Sequence, residues 1–349
     1  MSKSFTLAIL IVFAFAAALA CSSAGDHDGN GDGSDGDADG DSDTDADTDA
    51  DTDTYTGSPP SGCTKMDILF VIDDSGSMSC EQEMLTQAFP EFVQVIEDYN
   101  QENNNDLTYR IGVTATSRTL SYTIDPPPIG PIDIPPMNMN ETGLDGELAE
   151  VGGQKWIDGP GNQSEIVSWF SDAAAVGTGG TSYEMPLQCM ALSLLKNQEG
   201  EANEGFLRPD SLFIAVIITD EDDCSRTDNN FTVPDDSCMA DPEEHNLVEL
   251  QEYKDLLDDQ FGGPERYVVV AIAGLNGCDA DAYPTNCDED DSYAGAKEAI
   301  RLQDFITNYI GEGEDENGVF SDICSNTMSE ALDEALNKMT VACDEFPVE

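Results

Sequence analysis

The chain has 349 residues, enough for one large or two modest domains once removable segments are set aside. It carries 72 Asp+Glu against 13 Lys+Arg, a formal net charge of −59, which argues against nucleic acid as a partner because phosphate binding needs a basic face. Residues 1–56 hold 13 Asp, no Glu and one base, so the remainder keeps 59 acids against 12 bases and a net −47. Such a domain repels itself at low ionic strength and is eased by salt or divalent cations, as in a saline or calcium-containing exterior.

Residues 1–20 read as a signal peptide: Lys3 in a short basic start, a nearly unbroken apolar run from Phe5 to Ala18, then Ala18-Leu19-Ala20. The run is too short and too small-residued at its end for a membrane span. Ala18-Leu19-Ala20-Cys21 resembles a bacterial lipobox, with alanine at the place where leucine is usual. That resemblance implies an acylated Cys21 and a protein anchored by lipid in the cell envelope, on the outer membrane or surface. The same residues also satisfy an A-x-A cleavage site, which would give a secreted protein instead. Residues 21–58 run through repeated Asp-Thr-Asp-Ala with almost no apolar content, the composition of a disordered linker that like charges hold extended. Within it, Asp35-Gly36-Asp37-Ala38-Asp39-Gly40 opens like a calcium loop, but Ala46 stands where the bidentate glutamate is needed.

The folded domain is expected over residues 59–345. Ile68 to Ile72 is a continuous apolar run, too short for an ordinary helix, and suits a strand buried on both faces of a parallel sheet. It ends in Asp73-Asp74-Ser75-Gly76-Ser77, at the carboxyl end of a strand, where open α/β sheets place their ligand sites. Asp73, Ser75 and Ser77 alternate, so a tight turn can aim one carboxylate and two hydroxyls at one point. These are hard oxygen donors of the kind Mg²⁺, Mn²⁺ and Ca²⁺ prefer. A capping box at Ser79 to Gln82 opens a helix with Leu85, Phe89, Phe92 and Ile96 on one face and Pro90 predicting a kink.

Residues 108–116 form a second strand, and residues 118–163 a Pro-rich insertion over the ligand face or edge of the sheet. A short helix over 164–176 leads into Gly177-Thr178-Gly179-Gly180-Thr181, then a helix over about 183–195 with Pro186 in its first turn. Residues 212–219 are a buried strand ending in Asp220-Glu221-Asp222-Asp223. A helix around 247–261, a strand at 267–273 and helices over 294–309 and 328–343 follow. Strands alternating with helices imply an α/β fold, Rossmann-like and doubly wound, with a mostly parallel sheet.

The D-x-S-x-S after an apolar strand, the G-G-T before a helix and the aspartate after a later strand together resemble the von Willebrand factor A domain with its metal-ion-dependent adhesion site. The resemblance spans roughly Cys63 to Cys343. It implies that Asp73, Ser75, Ser77, Thr181 and Asp220 hold one divalent cation, Mg²⁺ first and Mn²⁺ or Ca²⁺ as alternatives, with Thr178 the rival to Thr181. Glu221 stands where that family often has glycine. Ser75, Ser77 and Thr181 would bind directly and Asp73 and Asp220 largely through water. The ion would then keep much of its charge and an open position for the carboxylate of a protein partner.

Nine cysteines follow Cys21, as expected of an exported domain. The expected pairs are Cys63–Cys343 across the domain ends, Cys224–Cys238, Cys278–Cys287 and Cys80–Cys189, with Cys324 left over. None of the spacings reads as a zinc site. The function expected is metal-dependent protein recognition or adhesion, and no enzyme. The alternatives are a cell-surface spacer with an idle metal site and an aspartate-nucleophile phosphoryl-transfer enzyme. The last would need a second acid where Ser75 stands.

Overall fold

The computed structural model describes residues 62–102, 106–233, 246–279, 295–313 and 316–347. The signal segment, Cys21, the acidic linker with its Asp35–Gly40 motif, Cys238, Cys287 and both histidines (His27 and His245) lie outside them.

The central apolar run is strand β1, Lys65–Ile72, buried from Met66 onward. Its side chains alternate between two cores. Ile68, Phe70 and Ile72 enter one and Leu69 and Val71 the other, which is why the run is apolar without interruption over these five positions. Helix α1 (Ser79–Glu102) follows and continues through Pro90. Strand β2 (Thr108–Ala115) lies parallel to β1.

Residues 118–163 supply three strands. β3 (Leu120–Ile124) and β4 (Met137–Glu141) pair antiparallel, and β5 (Trp156–Gly159) runs antiparallel to β2 at the edge of the main sheet. Then come helices α2 (Gln163–Ala174) and α3 (Pro186–Leu195), strand β6 (Leu212–Ile218), and β7 (Asn230–Val233), which joins β3 in parallel. Helix α4 (Leu250–Phe261), strand β8 (Tyr267–Ala273) and a two-residue ladder of β9 (Cys278–Asp279) with β10 (Gly295–Ala296) follow. Helix α5 (Ile300–Asp304) passes into a π-helical turn at Phe305–Gly311, before β11 (Gly318–Asp322) and α6 (Met328–Asp344). The helix expected to start near residue 294 begins at Ile300. There the Asp222 carboxylate accepts from the backbone N–H of Arg301 and Leu302 and fixes its first turn.

The main sheet has the order β11-β8-β6-β1-β2-β5, parallel throughout except at β5. Helices cover both faces. Residues of α1, α2 and α6 pack with Ile68, Phe70 and Ile214 on one side, and residues of α3, α4 and α5 with Leu69, Phe213 and Ala215 on the other. This is the doubly wound, mostly parallel α/β architecture that the alternation of strands and helices predicts. The carboxyl ends of β1, β2 and β6 lie side by side, because Ile72 faces both Ala115 and Ile218 in register. A third, smaller core holds Leu120, Tyr122, Tyr183, Met185 and Phe231. It anchors the β4-β3-β7 sheet beside those strand ends.

The disulfides differ in part from expectation. Cys63 and Cys343 are bonded, with Cα atoms 4.8 Å apart, and close the two ends of the domain. Cys278 bonds Cys324, not Cys287, and Cys324 is therefore not the unpaired thiol. The reason is topological: β11 lies beside β8 with Asp322 opposite Ala273, so the residues just past each strand end meet. The expected Cys80–Cys189 bond is absent. Cys80 is disulfide-bonded on α1, whereas Cys189 is a free thiol in the core under the other face of the sheet. Cys224 is disulfide-bonded as well.

Burial pushes the Cys189 thiol well above its ordinary pKa, and its Sγ donates to the Thr116 carbonyl at 3.1 Å. A buried neutral thiol is a poor nucleophile. Native protein should therefore leave Cys189 unmodified by a charged thiol reagent at pH 8 until denaturant is added. Rapid labelling of the native chain at Cys189 would contradict this placement.

Candidate metal centre

The turn after β1 is built around a carboxylate with no access to solvent. Asp73 is 0% exposed. Its Oδ1 accepts the Ser75 backbone N–H at 2.7 Å, and its Oδ2 accepts the Thr219 hydroxyl at 2.6 Å. Its own N–H donates to the Ile218 carbonyl, so β6 holds the turn from one side. Gln82, in the first turn of α1, reaches back to this turn. Its side-chain amide donates to the carbonyls of Asp73 and Gly177 (2.8 Å each) and joins the turn to the Gly-rich loop. Above Asp73, the Ser75 and Ser77 hydroxyls lie 3.1 Å apart and half-buried, so the hydroxyl layer reaches solvent while the carboxylates lie beneath it.

The Gly-rich loop docks onto the same turn. The Gly180 N–H donates to the Asp74 carbonyl at 2.7 Å. A Cβ on Gly180 would stand 2.5 Å from Asp74 Oδ1, so only glycine permits this approach. Thr181 follows at 2% exposure, its hydroxyl donating to the Tyr183 carbonyl at 3.0 Å, whereas the rival Thr178 is exposed.

Asp220, past the end of β6, is 3% exposed. The Ser77 hydroxyl hydrogen-bonds it, yet its Oδ1 is buried and has no hydrogen-bond partner. A buried ionised oxygen without a donor is costly, and a cation beside it removes that cost. The structure thus brings Asp73, Ser75, Ser77 and Asp220 into one hydrogen-bonded group and packs the loop of Thr181 against it. Hard oxygen donors around an orphaned carboxylate oxygen suit a divalent cation.

Two further acids belong to this region and were not singled out from sequence. Asp74 (8% exposed) accepts the Ser117 hydroxyl at 2.7 Å on Oδ2. Glu184 (1% exposed) accepts the Thr116 hydroxyl. Oxygens of Asp73, Asp74 and Glu184 all lie within 4.8 Å of one another. The available signal was weak: Asp74 fills a variable position of the motif, and Glu184 is one acid between Tyr183 and Met185, both buried.

These carboxyls hold their protons more tightly than usual. Burial, with smaller opposing hydrogen bonds from Thr219 and Ser75, raises Asp73 to about 6. Burial and then the Asp73 charge raise Asp220 to about 8. Burial first, and next the Asp73 charge, push Glu184 well above the carboxylate range, and burial raises Asp74. Clustered buried acids with raised pKa values make this region a functional-site candidate.

No protein-family model matches the chain, and no curated protein does. Among solved structures, proximal thread matrix protein 1 from the mussel byssus aligns over 81% of this chain and 49% of its own, at 13% identity and a TM-score of 0.40. A structure of that protein described as having a zinc-occupied MIDAS motif aligns at 12% identity with a TM-score of 0.37, over 81% of this chain and 46% of its own. The pilus adhesin SpaC from Lactobacillus rhamnosus GG aligns over 80% of this chain and 31% of its own, at 13% identity and a TM-score of 0.38. The chain thus spans about half the length of the mussel protein and under a third of the adhesin.

Proposed function

We propose that this chain carries a von Willebrand factor A-type recognition domain. It binds a protein partner through one divalent ion held by Asp73, Ser75, Ser77, Thr181 and Asp220. The observation that carries the reading is the layering of the site: two half-exposed hydroxyls 3.1 Å apart above buried carboxylates, one with an orphaned oxygen. An ion seated on neutral hydroxyls retains charge toward solvent, and a partner carboxylate is the complementary ligand. Mg²⁺ suits this layer first, because it keeps open positions for water or an incoming oxygen.

The reading includes no catalysis. It takes the Ser75 and Ser77 hydroxyls as ligands of the ion rather than as nucleophiles. It also places the protein outside the cytoplasm, on a lipid-bearing Cys21. Disulfides at Cys63–Cys343 and Cys278–Cys324 suit an oxidising compartment. Among the described residues no helix is long and apolar enough to cross a membrane.

Calorimetry with Mg²⁺, Mn²⁺ and Ca²⁺ tests the ligand set. We expect the hydroxyl-layer ion to be lost in Ser75→Ala and in Asp220→Ala. Unchanged metal stoichiometry in both variants would remove this reading. Cross-linking to envelope proteins with and without EDTA then reads partner binding, with Asp73→Ala as the control. Capture that persists unchanged in EDTA and in Asp73→Ala would separate the partner from the metal.

A further inference from the structure

We propose that a second divalent cation binds beside the first between Asp73, Asp74 and Glu184, with Asp73 shared by both ions. The proposal rests on the reading above for the first ion only. Its own ligands, Asp74 and Glu184, are absent from that set.

Three observations converge. The first is span. The three carboxylates approach within 4.8 Å of one another. Oxygens this close can share one divalent ion, since Mg²⁺ and Ca²⁺ hold oxygen ligands at about 2.0–2.6 Å. The second is an orphan. Asp74 is 8% exposed, and its Oδ1 is buried with no hydrogen-bond partner, just as Asp220 Oδ1 is in the first site. The two orphans have different neighbours. Asp220 adjoins Ser77, whereas Asp74 adjoins Ser117 and the Gly-rich loop. The third is charge. Asp73, Asp74, Glu184 and Asp220 are all buried, and none has a basic side chain as a hydrogen-bond or ion-pair partner among the described residues. Ionising neighbouring carboxyls in this medium is expensive, and a cation between Asp73, Asp74 and Glu184 offsets that cost.

Hydrogen bonds from neighbouring elements hold these acids in place. Asp74 comes from the end of β1, Thr116 and Ser117 from the end of β2, and Glu184 from the approach to α3. Met185 N–H donates to the Thr116 carbonyl at 3.1 Å, and Cys224 N–H to the Glu184 carbonyl at 2.7 Å, so the backbone around Glu184 is pinned from two strands. The Thr116 and Ser117 hydroxyls hold one oxygen each of Glu184 and Asp74 and leave the remaining oxygens for the ion. A site fixed in this way loses little conformational freedom on binding.

Native mass spectrometry and Ca²⁺ calorimetry of the full, metal-stripped chain test this. Loose binding by the acidic tail is common to every variant, so the difference between variants is the readout. Wild type should hold two tight ions. Glu184→Gln should lose one and keep the ion that Ser75→Ala removes, and Ser75→Ala/Glu184→Gln should lose both. Near-UV circular dichroism checks the fold, and Asp74→Asn replaces Glu184→Gln if the latter is not native. A wild-type chain whose single tight ion Ser75→Ala removes, or Glu184→Gln and Asp74→Asn matching wild type, overturns the proposal. Loss of an ion in Glu184→Gln with none lost in Ser75→Ala would instead overturn the hydroxyl-layer site and leave this one standing.

Discussion

Stripped of divalent ions, the domain should lose stability as the pH rises from about 4 to about 8, the reverse of ordinary acid denaturation. The cause lies in the carboxyls beneath the hydroxyl layer. Asp73 in the folded protein titrates at about 6 and Asp220 at about 8, against an ordinary value of 3.8, with burial the leading cause for both. A carboxyl whose folded pKa is raised binds its proton more tightly folded than unfolded. Its favourable contribution is complete below pH 4 and disappears as the pH passes through the folded value. Glu184 and Asp74 are shifted in the same direction and add to the slope.

Each pKa unit corresponds to about 1.4 kcal/mol. The combined loss should reach several kcal/mol, a fall in Tm of about 10 °C for a domain of this size. A bound cation takes the place of the protons, so millimolar Mg²⁺ or Ca²⁺ should flatten or invert the dependence where NaCl of equal ionic strength does not. Differential scanning calorimetry in EDTA at pH 4.5, 6 and 8 reads this directly, with Asp220→Asn predicted to shed the upper part of the slope. A metal-free Tm that rises across this range would mean that these acids are ionised and satisfied without an ion.

The parts of this site that were legible in the sequence are those that must be polar where the surroundings are apolar. Ile68 to Ile72 followed at once by Asp73, and Leu212 to Ile218 followed by Thr219 and Asp220, mark two strand ends because a buried parallel strand cannot continue into acid. The sheet order follows from such runs only up to the edges. β5 and β11 carry no strand signal of their own, because Trp-Ile-Asp-Gly and Gly-Val-Phe-Ser-Asp are short and mixed. Tertiary pairing, not propensity, makes them strands. The small sheet of β3, β4 and β7 was hidden by the prolines of its long connection. Glu184 could not be placed from its neighbours, since its meaning depends on Thr116 and Asp74, which are remote in sequence. The cysteines show the same limit. Cys63 with Cys343 follows from where a domain begins and ends, while Cys278 with Cys324 requires knowing that β8 and β11 are neighbours.

At the other end of β1, Arg208→Met should cost about 3–5 kcal/mol, because it strands a buried charge. Asp67 is 0% exposed and sits between apolar residues of the central strand. Its Oδ1 accepts Arg208 Nε at 2.7 Å, and its Oδ2 accepts the Arg208 backbone N–H at 2.6 Å and the Ser211 hydroxyl at 2.7 Å. The same guanidinium donates to the Met66 carbonyl and the Thr108 hydroxyl, so one side chain fastens the segment before β6 to the starts of β1 and β2. The pair is not itself a large source of stability. Desolvation of both charges offsets most of their attraction. What is costly is removing one partner alone. Asp67→Asn keeps an acceptor for Ser211 and leaves Arg208 partly exposed, so it should cost less than Arg208→Met, and Asp67→Asn/Arg208→Met should recover much of the loss. Urea denaturation of the four proteins gives the cycle. Metal affinity should be unchanged in all of them, since the cation site lies at the opposite end of the strand. An Arg208→Met variant within 1 kcal/mol of wild type, or a double variant as unstable as the two single losses added together, would show that Asp67 has another way to satisfy its charge.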